Sequence, residues 1–157
     1  MSTQTFQYIY MVHAPATKIY EHLAEPTSYI GLSPLVGQVS DVEWGINEQH
    51  QRIASYKTVE LFRFLGFITY PNPLNVMMIL THPNQQIISD VQSGFNITVH
   101  FVFDLKEQPD GTNIVETITA TTPTLLSSFV VNQAKVVQQH RAKVLKQRME
   151  SPNQKGG

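Results

Sequence analysis

The sequence predicts an α+β domain in which a curved antiparallel sheet of about seven strands wraps around one long C-terminal helix, with two short helices after the first strand. Residues 36–122 show apolar and polar side chains in β-type alternation, interrupted by short turn-forming segments. From Thr124 to about Met149 the apolar period becomes that of a helix. The length of 157 residues is that of one ordinary domain. We therefore expect residues 1–150 to form a single domain and residues 151–157 a disordered tail.

The N-terminal elements follow from aromatic and proline positions. Residues 6–13 are rich in aromatic and β-branched side chains, which predicts a strand. Pro15 suits the first turn of a helix, where its missing N–H costs nothing, and Ile19, Tyr20 and Leu23 then repeat at helical spacing. Pro26 ends this helix, and residues 26–33 are predicted to form a second short helical turn.

The sheet is predicted from strands at residues 36–44, 51–62 (with an extension towards 70), 75–82, 86–93, 96–105 and 113–121. Pro71-Asn72-Pro73 is interpreted as a turn between two of them. The clearest alternation puts one set of large apolar side chains on the inner face, with Thr98 and His100 opposite. That set is Phe95, Ile97, Val99, Phe101, Phe103 and Leu105.

The terminal helix is predicted to cover the sheet and to leave a cavity beneath it. Its apolar stripe is predicted from Leu126, Phe129, Val130, Val136, Val137 and Val144. Gln133 and His140 project near the centre of that stripe, and a buried amide or imidazole needs a partner. The partner is either a ligand or another group of the protein. We expect a ligand to contact Gln133, His140, Phe129, Val130, Val137, Val144, Phe101, Tyr10 and Arg63.

Two charged side chains, Glu116 and Arg63, are also candidates for a functional role. Glu116 alternates with Ile114, Ile118 and Ala120, which places it on the inner face unless the two faces are exchanged and it is solvated. On the inner face it and His140 are the candidate catalytic acid and base. Arg63 would bind an anionic head group at the cavity mouth, or extend to the surface.

Composition excludes several classes of protein. A net charge of −1 argues against a nucleic-acid partner, and the most apolar stretch is too interrupted for stable membrane insertion. The chain has no cysteine, and its six histidines show no ligand spacing, so we expect no metal and no cofactor. The N-terminus lacks a signal-peptide pattern, which predicts a cytoplasmic protein. The oligomeric state stays open, a homodimer included.

The order of elements resembles the helix-grip fold of the SRPBCC superfamily, which includes START domains and polyketide cyclases. The segment Val12-His13-Ala14-Pro15, followed by Lys18-Ile19-Tyr20-Glu21-His22-Leu23, is similar to the strand and first helix of that family. Pro109-Asp110-Gly111-Thr112 resembles its turn before the last strand. The resemblance covers residues 6–149 and implies a pocket for a hydrophobic ligand, with no shared catalytic motif.

Three functions are compatible with the sequence. We expect a protein that binds or transports a hydrophobic small molecule such as a lipid, an isoprenoid or a polyketide-like compound. The alternative is a cofactor-independent cyclase or dehydratase that uses His140 and Glu116. The remaining hypothesis is a protein-interaction module that uses a sheet edge or the helix.

Overall fold

The computed structural model describes the backbone of residues 1–64 and 68–151, and the side chains of residues 1–61 and 71–151. The elements follow one another as β1 (Ser2–Val12), α1 (Ala16–Leu23), a 3₁₀ turn (Pro26–Ser28), α2 (Tyr29–Leu32), β2 (Val36–Ile46), β3 (Arg52–Phe64), β4 (Ile68–His82), β5 (Gln86–Ser93), β6 (Thr98–Gln108), β7 (Gly111–Thr122), a 3₁₀ turn (Thr124–Leu126) and α3 (Ser127–Glu150). The predicted α+β architecture is confirmed.

The strands form one 7-stranded antiparallel sheet in the order β1-β7-β6-β5-β4-β3-β2. Consecutive strands pair from β2 to β7, and β1 then pairs with β7. The helix α3 packs across the inner face and extends about 36 Å at 1.5 Å per residue. Among the described residues, no helix has the length and apolar content needed to cross a membrane.

The predicted faces of the first and last elements are confirmed. In β7 the side chains of Ile114, Glu116 and Ile118 are fully buried, so the inner face is the one that carries the carboxylate. In α1, Ile19, Tyr20 and Leu23 are buried, as predicted. Gly111, with φ of +156°, lies so close to the Val12 carbonyl that a side chain would collide with it, which fixes the turn before β7 against β1.

In β6 the predicted alternation is also correct, although the strand begins two residues later than expected. The side chains of Phe103 and Leu105 are buried, and Val99 and Phe101 on the same face are partly buried. The prediction is wrong for Phe95, which precedes the strand and is 45% exposed. The partial exposure of Val99 and Phe101 has a local cause, because both face the cavity described below.

The predicted turn at Pro71-Asn72-Pro73 is wrong, because β4 continues through it. Pro71 pairs with Leu61 and Pro73 with Val59, while β5 pairs with β4 only from Leu74 onward. A proline cannot donate to the sheet, but here the strand has a partner on one side only, as at a sheet edge. Both prolines point outward and the Asn72 side chain points inward, where it is 1% exposed.

The predicted apolar stripe of the terminal helix differs from the observed buried face by a rotation about the helix axis. The buried residues of α3 are Ser127, Val131, Gln138, Arg141, Ala142, Leu145 and Met149. Val136, which belongs to the predicted stripe, is 59% exposed. The error has a physical reason: the buried stripe contains Gln138 and Arg141, and a hydropathy pattern assigns such side chains to the surface.

Candidate functional site

A cavity of about 140 Å³ lies between the inner face of the sheet and α3. Its walls are formed by β3, β4, β5 and β6, by one side of α3, and by the segment from α2 into β2. Most of the surface is apolar, with valines 76, 91 and 99 on three adjacent strands. This agrees with the usual composition of a site for a hydrophobic small molecule.

Small side chains create this space. Ser89 and Ser93 occupy the inner face of β5, and Ala134 lines the same cavity from α3. Ser89 is 6% exposed and is paired with Met78 on one side and Phe101 on the other. A larger residue at any of these three positions would project into the cavity, so its volume is determined by the sequence.

A buried ion pair forms one polar feature of the cavity, which its Arg141 member lines. Arg141 of α3 donates from Nε to Glu116 Oε1 at 3.1 Å and Oε2 at 3.3 Å, and its Nη2 also contacts Oε1. The guanidinium carbon lies 5.5 Å from the ring centroids of both Phe101 and Phe103. Burial alone would lower the pKa of Arg141, but the Glu116 carboxylate outweighs it and holds the pKa above its usual range.

Further buried polar groups surround this pair. The Gln138 amide donates from Nε2 to the Glu116 backbone carbonyl at 3.2 Å, which explains its place in the buried stripe. The Tyr10 hydroxyl is buried and has no hydrogen-bond partner among the described residues. Its burial, and then the nearby Glu116 charge, raise the pKa of Tyr10 well above its usual range.

A second polar group lies on β3 and β4, and we call Thr58, Glu60 and Asn72 the strand cluster. Thr58 and Glu60 are two residues apart on one face of β3, and Glu60 is directly opposite Asn72 on β4. All three side chains line the cavity. Thr58 Oγ1 and Asn72 Nδ2 are both buried without a hydrogen-bond partner among the described residues.

The third member of the strand cluster, Glu60, has a carboxyl group with a raised pKa. Burial raises the pKa of Glu60 from 4.5 to about 7, and the Arg141 guanidinium opposes this rise only in part. None of the described side chains forms a hydrogen bond with this carboxyl group. At neutral pH the cavity therefore contains an acid that can either give or take a proton.

The structure brings four of the predicted ligand-binding residues to the cavity. Val130, Gln133 and Val137 line it from α3, and Phe101 lines it from β6. The three helix residues are three and four positions apart, so they share one side of α3. The difference in helix phase therefore changes which α3 residues are buried in the core, but the predicted residues Val130, Gln133 and Val137 still line the cavity.

The two residues considered as acid and base are not among the residues that line the cavity. His140 is partly buried and its Nε2 lies 3.1 Å from the Gly31 carbonyl, with which it shares a hydrogen bond. Glu116 is fully buried in the ion pair with Arg141. Each side chain is therefore satisfied by the protein, and the geometry does not bring the pair together around a ligand.

The other predicted ligand-binding residues have different places. Phe129, Val144 and Tyr10 are not among the lining residues, and Val144 packs against the hydrophobic core. The Arg63 side chain lies outside the described residues. Among the described residues, no group of three histidine or carboxylate side chains could bind a metal ion.

Sequence reasoning missed Arg141, Glu60, Asn72 and Thr58. The signal for Arg141 was its spacing of three residues from Gln138, both in line with Leu145. The signal for Asn72 was alternation from Pro71 to Met78, where every second residue is buried. We did not use this alternation, because we interpreted the two prolines as a turn.

The fold matches solved structures along most of the chain. Zhui aromatase/cyclase from Streptomyces sp. R1128 superposes with a TM-score of 0.77 at 14% identity, covering 95% of this chain and 94% of that one. A START superfamily protein from Mycobacterium smegmatis gives 0.70 at 16% identity, covering 93% and 97%. The di-domain aromatase/cyclase StfQ from the steffimycin biosynthetic pathway gives 0.71 at 10% identity, covering 94% of this chain and 51% of that one, so this chain spans about half its length.

At these identities the matches establish the fold. The chain has the helix-grip fold of START-like proteins and aromatase/cyclases, as the resemblance implied. No family model matches the sequence, and no curated protein does.

Proposed function

We propose that this protein binds one hydrophobic small molecule, of the lipid, isoprenoid or polyketide-like class, in the cavity between the sheet and α3. The observation that carries the proposal is an apolar cavity whose buried polar atoms lack partners. An unpartnered buried polar group costs about 1–3 kcal/mol, and a bound molecule that supplies the partner offsets that cost. The named functions of the fold neighbours agree with such a site.

A fluorescence titration with N-phenyl-1-naphthylamine tests this proposal. The dye is neutral and apolar, so the valine-rich wall should bind it and increase its emission. We expect saturation at one dye per chain and displacement by other apolar molecules of similar size. Emission that rises without saturation, or that no apolar competitor reduces, would contradict the proposal.

A second candidate function is a cofactor-independent cyclase or dehydratase. It is favoured by Glu60, because a cavity carboxyl group whose pKa is about 7 suits proton transfer at neutral pH. Glu60 would then take the role that the sequence suggested for Glu116 and His140. Such chemistry begins when a carboxylate removes the proton next to a ketone carbonyl and leaves an enolate.

Proton exchange on a model ketone tests the second candidate. In heavy water, 2-acetylnaphthalene should lose its methyl proton signal faster with the wild-type protein than with Glu60→Gln, because only a carboxylate can remove the proton. The dye titration of both proteins checks that Glu60→Gln still binds an apolar molecule in the cavity. Equal exchange rates would exclude Glu60 as a base and leave the binding function in place.

A further inference from the structure

The strand cluster contains donors without acceptors. Asn72 is 1% exposed and Thr58 is 4% exposed, yet neither Asn72 Nδ2 nor Thr58 Oγ1 has a hydrogen-bond partner among the described residues. Both side chains line the cavity. A close-packed protein would place apolar residues at such positions, because an amide buried without a partner destabilises the fold. Their presence points to a polar group of a ligand.

The backbone fixes how these side chains face one another. Glu60 pairs with Val36 on one side and with Asn72 on the other, so both of its neighbouring strands hold it in register. Directly paired residues on neighbouring antiparallel strands have Cβ atoms about 4.5–5.5 Å apart. One ligand atom between the two side chains can therefore contact both the Asn72 amide and the Glu60 carboxyl.

The charges around the cavity select the kind of group. A ligand carboxylate would have to approach Glu60, and the positive charge of Arg141, which also lines the cavity, is already paired with Glu116 through Nε and Nη2. An ammonium group could approach Glu60 but has no lone pair to accept from Asn72. A hydroxyl group accepts one hydrogen bond and donates another, so it satisfies both sides.

We propose that the strand cluster is the polar end of the binding site and that the occupant is an apolar molecule with a hydroxyl group, which accepts from Asn72 Nδ2 and donates to the Glu60 carboxyl. Thr58 lies next to Glu60 on the same face of β3 and supplies a further hydroxyl within the cluster. This inference rests on the proposed binding function and specifies its substrate class.

Matched naphthalene probes test the inference. We would measure displacement of N-phenyl-1-naphthylamine by 2-naphthol, by 2-methylnaphthalene, which has the same shape without the hydroxyl, and by 2-naphthoate. We expect 2-naphthol to bind about tenfold more tightly than 2-methylnaphthalene, which is the effect of one or two buried hydrogen bonds. In Asn72→Leu the bond to Glu60 remains, so this preference should fall to about threefold.

Two further variants make the test decisive. Thr58→Val removes only a hydroxyl group and should also reduce the preference, so the result does not depend on one substitution. Asn75→Leu makes the same change on the outer face of β4, where Asn75 is exposed, and should keep the wild-type preference.

The outcomes separate the two proposals. If none of the probes displaces the dye, the binding function itself is overturned. If 2-naphthol and 2-methylnaphthalene bind equally, or if 2-naphthoate binds most tightly, binding stands and the hydroxyl assignment is overturned. A preference for 2-naphthol that stays tenfold in Asn72→Leu would likewise contradict the role of the strand cluster.

Discussion

The Arg141–Glu116 pair joins α3 to β7 through two charges that are both removed from water. Removal of one partner leaves the other charge buried and uncompensated, so Arg141→Met should reduce the free energy of unfolding by about 3–5 kcal/mol. Replacement of both residues by leucine should restore most of that loss, because apolar side chains pack where the pair was. Urea denaturation of the single and double variants measures both effects.

An exposed pair supplies the control for this prediction. Lys57 and Asp41 are 3.7 Å apart, and both side chains are more than half exposed. Lys57→Met should change the free energy of unfolding by less than about 1 kcal/mol. A similar small loss for Arg141→Met would contradict the interpretation of the buried pair as a coupled unit.

Glu60 predicts a pH-dependent cost of folding. Its pKa is raised from 4.5 to about 7 by burial, so the folded state retains a proton that the unfolded state releases. Below pH 4.5 the Glu60 carboxyl group therefore does not lower the free energy of unfolding. As the pH rises from 4.5 towards 7, the free energy of unfolding falls. Above pH 7 this loss of stability remains constant. The full cost is about 3 kcal/mol.

Glu60→Gln removes this cost. The unfolding free energy of the variant minus that of the wild type should therefore rise by about 3 kcal/mol between pH 4.5 and pH 8. The matched variant is Glu43→Gln, which changes an exposed carboxylate on β2. Parallel stability curves for wild type and Glu60→Gln would show that the carboxyl group is solvated.

Individual residues show where sequence reasoning succeeds and where it stops. The inward direction of Glu116 follows from the alternation of β7 and could be predicted. Its partner could not, because the contact between Glu116 and Arg141 joins residues 25 positions apart in sequence. Asn72 was missed for another reason: prolines on both sides suggested a turn, while edge-like pairing of β4 accommodates them.

The phase of α3 is the largest difference between the predicted and observed elements. Leu145 is fully buried, whereas Val136 is 59% exposed. Leu145→Ala should therefore reduce the free energy of unfolding by about 2–5 kcal/mol, and Val136→Ala should change it by less than about 0.5 kcal/mol. Thermal or urea denaturation distinguishes them. Equal losses, or a larger loss for Val136→Ala, would favour the helix phase predicted from hydropathy.

The strands were predicted more accurately than the helix because their signal is simpler. A strand needs only a period of two, and in β7 six alternate residues from Thr112 to Thr122 are buried without interruption. In α3 the polar side chains of Gln138 and Arg141 lie within the buried stripe and alter the apparent phase. Amphipathic patterns fail at elements whose buried face is itself polar.

The molecule as a whole has a close-packed core at one end and a cavity at the other. Around α1, side chains from β1, β6 and α3 form a continuous core that includes Val12, Leu23, Leu105 and Leu145. Around β5 the inner face carries small residues, and a cavity lies there instead. The order of elements predicted both the fold and a cavity, but the lining of the cavity depends on contacts between distant strands.

The central claim, that the cavity is a binding site, is tested most directly by filling it. Ser89→Phe places a large side chain on the inner face of β5, whereas Gln92→Phe adds the same group to the exposed outer face. We predict that Ser89→Phe weakens binding of N-phenyl-1-naphthylamine by about tenfold or more, while Gln92→Phe binds the dye like the wild type. A folded Ser89→Phe protein that binds the dye with unchanged affinity would contradict the claim.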